Sequence, residues 1–72
     1  MSKRIIVFNS THQALKTEER LREHDIGFEV VPLPKEISAG CGLAIEIAEN
    51  DLEEAQVLIK RYRIAVKGVY EL

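Results

Sequence analysis

Short apolar segments and helical patterns alternate along this chain so closely that few folds can accommodate them. Residues 5–8 form a continuous β-branched and aromatic run, which is typical of a central strand. Residues 28–31, 43–47 and 66–70 predict three further strands. Pro32 should end the second of these strands, because proline cannot donate a hydrogen bond to a sheet.

Two helices are predicted between these strands. Ser10 and Gln13 have the spacing of a capping box, so the first helix should begin there and continue to about His24. Asp25 or Gly27 should end it, because either residue tolerates a left-handed backbone conformation.

The second helix has the clearest pattern. Asn50 and Glu53 form another predicted capping box, and apolar residues recur at helical spacing from Leu52 to Tyr62. Acidic residues occupy its first turns and basic residues its end, as the helix dipole favours. The basic residues are Lys60, Arg61 and Arg63.

In so short a chain, the order strand-helix-strand-strand-helix-strand predicts an α+β ferredoxin-like fold. This is a two-layer sandwich with two helices on one face of a four-stranded antiparallel sheet. Residues 1–72 are expected to form a single domain. The right-handed crossover rule makes the first two strands parallel, with the third antiparallel between them. The start of the first helix, the loop between strands two and three, and the end of the second helix should then share one end of the sheet.

Composition argues against several functional classes. A formal net charge of -2 gives no reason to expect nucleic acid or an anionic membrane as a partner. The apolar run at 5–8 is too short for a signal peptide or a membrane span. One cysteine cannot form an intramolecular disulfide, so a cytoplasmic protein is expected.

Cys41 points most directly to chemistry, because it lies between Gly40 and Gly42, where its sulfur should be approachable from solvent. The amides of these glycines could form a small anion-binding nest, and Lys35 could screen the charge. A helix start and nearby cations can lower the pKa of a cysteine from about 8.5 to roughly 3.5–7.5, which favours the thiolate. The predicted topology makes Cys41 a neighbour of three residues at the start of the first helix: Ser10, Thr11 and His12.

Plainer interpretations of these residues stay open. A lone cysteine is often an inert packing residue, and His12 could be only an exposed residue of the first helical turn. Ser10 and Thr11 fit helix caps better than nucleophiles, since no Ser-His-carboxylate arrangement is legible. Lys35 and Glu36 fit a solvated loop pair.

Other chemistries lack their motifs. Gly40-Cys41-Gly42 begins a dinucleotide-binding glycine pattern, but Ile45 occupies the third glycine position and a strand follows instead of a helix. One cysteine and two histidines lack the spacing of a zinc or copper site, so no metal or other cofactor is expected. RNA binding on the sheet face would need exposed aromatic residues on the central strands and a basic surface, and the chain has only two phenylalanines and two tyrosines.

The motifs found so far resemble those of a known family, the small bacterial proteins catalogued as selenium/sulfur carrier-like. The resemblance covers nearly the whole chain, with Lys35 and Ala39 as mild departures, since these positions are often arginine and serine in the family. It implies that Cys41 carries sulfur or selenium as a persulfide or perselenide, and it assigns no role to another residue. The matching motifs are Ser10-Thr11-His12 followed by Ala14, Leu15 and Glu18, and Pro32-x-Pro34-Lys35-Glu36-Ile37-Ser38 running into Gly40-Cys41-Gly42-Leu43-Ala44.

The leading functional hypothesis is therefore a carrier protein rather than a free-standing enzyme. A cysteine desulfurase or another sulfurtransferase would load Cys41, and the sulfur or selenium would pass to an acceptor enzyme. The alternative is a regulatory or interaction module that binds a small ligand or a protein at the same loop end without thiol chemistry. Ferredoxin-like domains often pair edge strands, so a homodimer also stays open, as does an accessory domain that has lost its partner domain.

Overall fold

The computed structural model describes residues 2–37 and 42–71, and these residues have the predicted βαββαβ order. All four strands form one sheet in which every neighbouring pair is antiparallel, so the fold is the α+β ferredoxin-like sandwich expected from the sequence. The strands are β1 (Lys3–Val7), β2 (Glu29–Pro32), β3 (Leu43–Ala48) and β4 (Gly68–Glu71). The helices are α1 (Thr11–Glu23) and α2 (Glu49–Arg61).

The strand order β2-β3-β1-β4 places β3 between β1 and β2, as predicted. At the end of β1, Val7 lies opposite both Ala44 of β3 and Gly68 of β4, while Pro32 lies opposite Leu43. Strands β1 and β2 therefore finish where β3 and β4 begin. Helix α1 starts and α2 ends on this side of the sheet, which we call the loop end. The opposite side, where β1 begins and β3 finishes, is called the far end.

Helix α1 begins at the predicted cap. The Ser10 hydroxyl accepts a hydrogen bond from the Gln13 amide at 3.4 Å. The Gln13 side chain does not complete the capping box; its Oε1 accepts from the Ala65 amide at 3.4 Å and so ties α1 to the segment between α2 and β4. After the helix, Asp25 takes the left-handed conformation with a φ of 57°, as the sequence predicted.

The predicted start of α2 was wrong. The helix begins at Glu49, and its cap residue is Ala48, which makes no side-chain hydrogen bond. Instead, the Glu49 amide donates to the carbonyl of Ser2 at 3.1 Å. A backbone partner from the segment before β1 thus replaces the side-chain cap expected from Asn50, and two acidic side chains in the first turn suit the helix dipole.

Pro32 is the last residue of β2, so the strand ends there, one position later than the predicted Val31. Strand β2 is at the edge of the sheet, and a proline at an edge costs no ladder hydrogen bond when its nitrogen faces away from the neighbouring strand. Strand β4 begins at Gly68, two residues later than the sequence predicted. Before it, the Lys67 amide donates to the Val7 carbonyl at 2.7 Å.

The main core lies between the sheet and the two helices, where Phe8, Leu21 and Ile45 are among the largest fully buried side chains. On the other face of the sheet, Ile5 and Val7 are also buried. The loop after β2 covers them, as described below. Within residues 2–37 and 42–71, neither helix has the length and apolar character that crossing a membrane requires.

Candidate functional site at the loop end

Cys41 and Gly40 lie outside the described residues, so their predicted roles stay predictions. The chain on both sides of them is described. The Leu33 amide donates to the Gly42 carbonyl at 3.0 Å, which joins the two sides of the β2–β3 loop where it leaves the sheet. The Ile37 amide donates to the Pro34 carbonyl at 3.0 Å, which forms a tight turn. The β2–β3 loop therefore leaves and re-enters the sheet at the loop end.

Apolar side chains hold the first half of this loop against the sheet. Leu33 and Ile37 pack on a second, smaller core formed by Ile5, Val7 and Ala44. This core is on the sheet face that the helices do not cover. The turn that precedes Cys41 in sequence is thus anchored by burial.

Beside this turn there is a cleft of about 440 Å³, lined by residues that include Pro34, Ile37 and Tyr70. The Tyr70 ring lies across Gly68, since a Cβ atom placed on Gly68 would come within 3.0 Å of the ring and its hydroxyl. The tyrosine therefore leans along β4 towards the loop end. It is 37% exposed, so it presents a partly solvated aromatic wall to the cleft.

The start of α1 supplies the other predicted residues. Ser10 caps the helix, Thr11 is its first residue, and His12 is an exposed residue of its first turn. These three residues lie at the loop end, as the predicted topology required, and their contact with Cys41 stays a prediction. Lys35 is exposed in the turn after Pro34.

Gly42 is exposed, and a Cβ atom placed on it would meet nothing within 4 Å. Among the described residues, no atom therefore crowds the position that a side chain would take at Gly42.

Charge is distributed unevenly between the two ends. The segment of residues 55–70 contains four cations and no acidic residue, and all four cations are exposed. None of the four has an ion pair among the described residues. No acidic residue precedes Glu18 either, so the first turns of α1 add no negative charge. We call these four cations at the loop end the basic cluster: Lys60, Arg61, Arg63 and Lys67.

The ion pairs of the described residues lie in the other half of the molecule. Lys3 binds Glu46 at 3.0 Å, and this hydrogen bond raises the pKa of Lys3 above its ordinary value. The remaining pairs are Arg4 with Glu49 at 3.4 Å and with Glu71 at 3.3 Å, Arg20 with Glu23 at 3.0 Å, and Arg22 with Glu18.

The loop end thus has a helix start, a basic cluster and an anchored loop, and the described part of that loop also carries the exposed carboxylate of Glu36. Because the four cations of the cluster outnumber this carboxylate, the loop end favours binding of an anion. Among the described residues, no group of three or more histidine, cysteine, aspartate or glutamate side chains could hold a metal ion.

A family described as "Putative Se/S carrier protein-like" matches residues 3–71. The chain belongs to this family. No curated protein and no solved structure matches the chain. The family match covers nearly all of the residues that build the sheet and helices, so the resemblance seen in the motifs extends to the whole fold.

Two features of this Se/S carrier-like chain escaped sequence reasoning. The first is the hydrogen bond between Gln13 and Ala65, which joins residues 52 positions apart and left no local signal. The second is the packing of Tyr70 on Gly68, which had a signal. The two residues are two positions apart in a strand and therefore share one face, where an aromatic side chain often covers a glycine.

Proposed function

We propose that this protein carries sulfur or selenium on Cys41, as a persulfide or perselenide, between a donor enzyme and an acceptor enzyme. The family match supports a Se/S carrier. The observation that carries the finer proposal is the basic cluster, which has no ion pair among the described residues and lies at the end of the sheet where the cysteine loop leaves it. Both a thiolate and a persulfide are anions, so an electropositive end favours each of them.

The transfer step balances without an added oxidant. The Cys41 thiolate attacks the outer sulfur of a persulfide on the donor. A new sulfur–sulfur bond forms to Cys41, the bond within the donor persulfide breaks, and the donor sulfur leaves as a thiolate. Delivery repeats the step in the opposite sense, with an acceptor thiolate attacking the outer atom of the loaded carrier.

In this proposal the residues around the cysteine loop have different roles. Ser10 holds the helix start in place through its bond to Gln13. The helix dipole and the exposed His12 side chain stabilise the anion. Lys35 screens it from the loop side. The partner enzyme approaches the loop beside Gly42, which is exposed.

The proposal also has consequences for the cellular compartment of the protein and for the part of the chain that takes part in the transfer. A thiol that must stay reduced between turnovers fits the cytoplasm, where glutathione and thioredoxin keep cysteines reduced. Residues 1–72 act as one domain in this scheme, with the cysteine loop, the start of α1 and the basic cluster contributing to one surface.

Loading by a cysteine desulfurase tests the proposal. The purified protein is mixed with a desulfurase and cysteine, and its intact mass is measured before and after treatment with a reductant. We expect the mass of one added sulfur, removed by the reductant, and no addition to a Cys41→Ser variant. Sulfide released by reductant in the same mixture confirms that the desulfurase is active. An unmodified wild-type protein, or a modified Cys41→Ser variant, contradicts the proposal.

The cleft beside Tyr70 favours a second candidate function, a module that binds a small ligand at the loop end without thiol chemistry. This candidate makes a different prediction for the same variant. A ligand that raises the melting temperature of wild type and of Cys41→Ser equally supports it, because ligand binding stabilises the folded state whether or not the thiol is present.

A further inference from the structure

A second surface lies on the side of the molecule, between α2 and β4. It is a groove of about 420 Å³ whose floor and walls include Val57, Val66 and Val69. Val57 is 51% exposed although valine is ordinarily buried. Glu53 and Lys60 also line the groove.

Strand β4 forms the edge of the sheet beside this groove, and within the described residues β1 is the one strand that pairs with it. An edge strand leaves a row of backbone donors and acceptors unpaired, and proteins commonly block such edges with proline or charge. The other edge strand is blocked in this way, since β2 contains Pro32 and begins with the exposed Glu29. Strand β4 also has an exposed glutamate at one end, Glu71, but it contains no proline, so its backbone amides can all donate hydrogen bonds.

We infer that a second copy of this chain occupies the groove, in a two-fold symmetric dimer that pairs β4 with β4 and packs α2 against α2. The groove is self-complementary in charge. Glu53 lies four residues before Val57 on α2, and Lys60 lies three residues after it. When two copies of α2 run antiparallel about an axis near Val57, Glu53 of each copy faces Lys60 of the partner subunit.

Neither Glu53 nor Lys60 has an ion pair within the protomer among the described residues, although other acids and bases in the far half of the molecule are paired. Two intersubunit pairs of this kind would surround the exposed valines with complementary charge, which is the usual anatomy of an interface with an apolar centre and a polar rim.

The same axis suits the strands. If Val69 lies opposite Val69 of the partner subunit, Lys67 comes opposite Glu71 of the partner subunit, a carboxylate that also binds Arg4 of its own protomer at 3.3 Å. Arg61 and Arg63 are then the cations of the basic cluster that the dimer leaves for the anion at the loop end. Val69 and Val57 line the same groove, so one axis can serve both elements. Neighbouring strands lie about 4.8 Å apart, and two helices packed over a four-stranded sheet lie about 10 Å from each other. Each α2 axis then lies about 4.6 Å from the two-fold axis between the paired β4 strands, so the two copies of α2 are roughly 9 Å apart. This is a normal distance for packed helices.

A charge exchange tests the inference. The molecular mass of the wild-type protein is measured by light scattering or sedimentation over a range of concentrations. We expect a dimer whose dissociation constant rises at least about tenfold in Glu53→Lys and in Lys60→Glu, because each change places like charges opposite each other twice. The double variant, which exchanges the two charges, should restore the dimer.

The matched control is Glu54→Lys, which changes an adjacent exposed carboxylate of α2 that does not line the groove. It should leave the dissociation constant unchanged, and circular dichroism and thermal unfolding should show all variants folded. A wild-type monomer overturns the inference and leaves the groove to a different partner protein. A dimer that the two single variants do not weaken overturns it as well. The sulfur-loading assay is independent, since a monomer that still accepts sulfur on Cys41 contradicts only the dimer.

Discussion

The two helices end at opposite ends of the molecule, and their last turns are built alike. After α1, the Ile26 amide donates to the Leu21 carbonyl at 3.0 Å; after α2, the Ile64 amide donates to the Ile59 carbonyl at 3.0 Å. Both isoleucines are 6% exposed and belong to the main core. This six-to-one bond, with an apolar contact across it, is the Schellman motif.

Each motif also places a residue other than glycine in the left-handed conformation. Asp25 has a φ of 57° and Arg63 a φ of 54°. What differs is charge. Near the end of α1, Arg20 and Arg22 form ion pairs with glutamates of the same helix. The basic cluster, which lies in the last turn of α2 and in the segment that follows it, has no ion pair among the described residues. Since the two ends pack in the same way, the fold does not require this difference, and the basic cluster is available for function.

The largest expected effect is on the free energy of unfolding, and it tests whether the buried isoleucines after α1 and α2 contribute equally to stability. Ile26→Ala and Ile64→Ala should each lower the free energy of unfolding by about 2–4 kcal/mol, because each removes a buried side chain and leaves a cavity. Urea denaturation of both variants measures the losses. Agreement within about 1 kcal/mol supports the equality, given the usual spread of such values. A loss at one end that is less than half of the other breaks the comparison.

The next effect tests the difference in charge, through the reaction of Cys41 with a negative and a neutral reagent. Iodoacetate is an anion and iodoacetamide is not, so the ratio of their alkylation rates reports the local potential. A cation about 10 Å from the reacting atoms contributes about 0.4 kcal/mol in water, or roughly twofold in rate. Removing two cations should therefore lower the ratio about fourfold at low salt and much less at high salt.

The variants for this measurement are matched in number of charges and in backbone conformation. The basic-cluster variant is Arg61→Gln with Arg63→Asn, and the control is Glu54→Gln with Asp25→Asn. Asparagine tolerates the left-handed conformation at both positions, so neither variant should strain the helix end. The control removes two carboxylates near the far end, so it should leave the ratio unchanged or raise it slightly. A ratio that does not fall in the basic-cluster variant, or that changes by as large a factor in the control, would show that the basic cluster does not act on the cysteine.

The smallest effect concerns the left-handed residues. Asp25→Gly and Arg63→Gly should each raise the free energy of unfolding by about 0.5 kcal/mol, because the relief of left-handed strain slightly exceeds the entropic cost of glycine. Thermal unfolding measures both. Only Arg63→Gly should also change the alkylation ratio, because Arg63 belongs to the basic cluster and Asp25 does not. The two variants therefore distinguish an effect on stability from an effect on the potential at Cys41. If either variant is instead less stable than wild type, the removed side chain stabilises the folded protein by more than its left-handed backbone conformation costs.

Much of the fold could be predicted because its signals are local. The spacing of Ser10 and Gln13 marks the start of α1, and the tolerance of Asp25 for the left-handed conformation marks its end. The strand order followed from the sequence of elements and the handedness of crossovers. The start of α2 could not be predicted, since a backbone contact with Ser2 replaces the side-chain signal at Asn50.

The candidate site was predicted in part. Sequence alone singled out Cys41 and placed the start of α1 at the same end as its loop. It also placed the basic end of α2 there, but it did not reveal which charges form ion pairs, because partners such as Lys3 and Glu46 are far apart in sequence. The arginine that follows α2 also gave no sign of its left-handed conformation, which depends on the buried position of Ile64. Tertiary packing decides such features, and no short window of sequence contains them.

The packing of Tyr70 beside the cysteine loop gives the protein an optical reporter of its own. The chain has two tyrosines and no tryptophan, so its ultraviolet fluorescence comes from two phenols in different surroundings. Tyr62 is stacked under the Arg20 guanidinium, 4.2 Å from its ring centre, in the helix layer. Tyr70 borders the cleft instead. A partner without tyrosine or tryptophan that docks on this face should change the emission of Tyr70, and a Tyr62→Phe variant would report that change alone, so binding can be followed without attaching a dye.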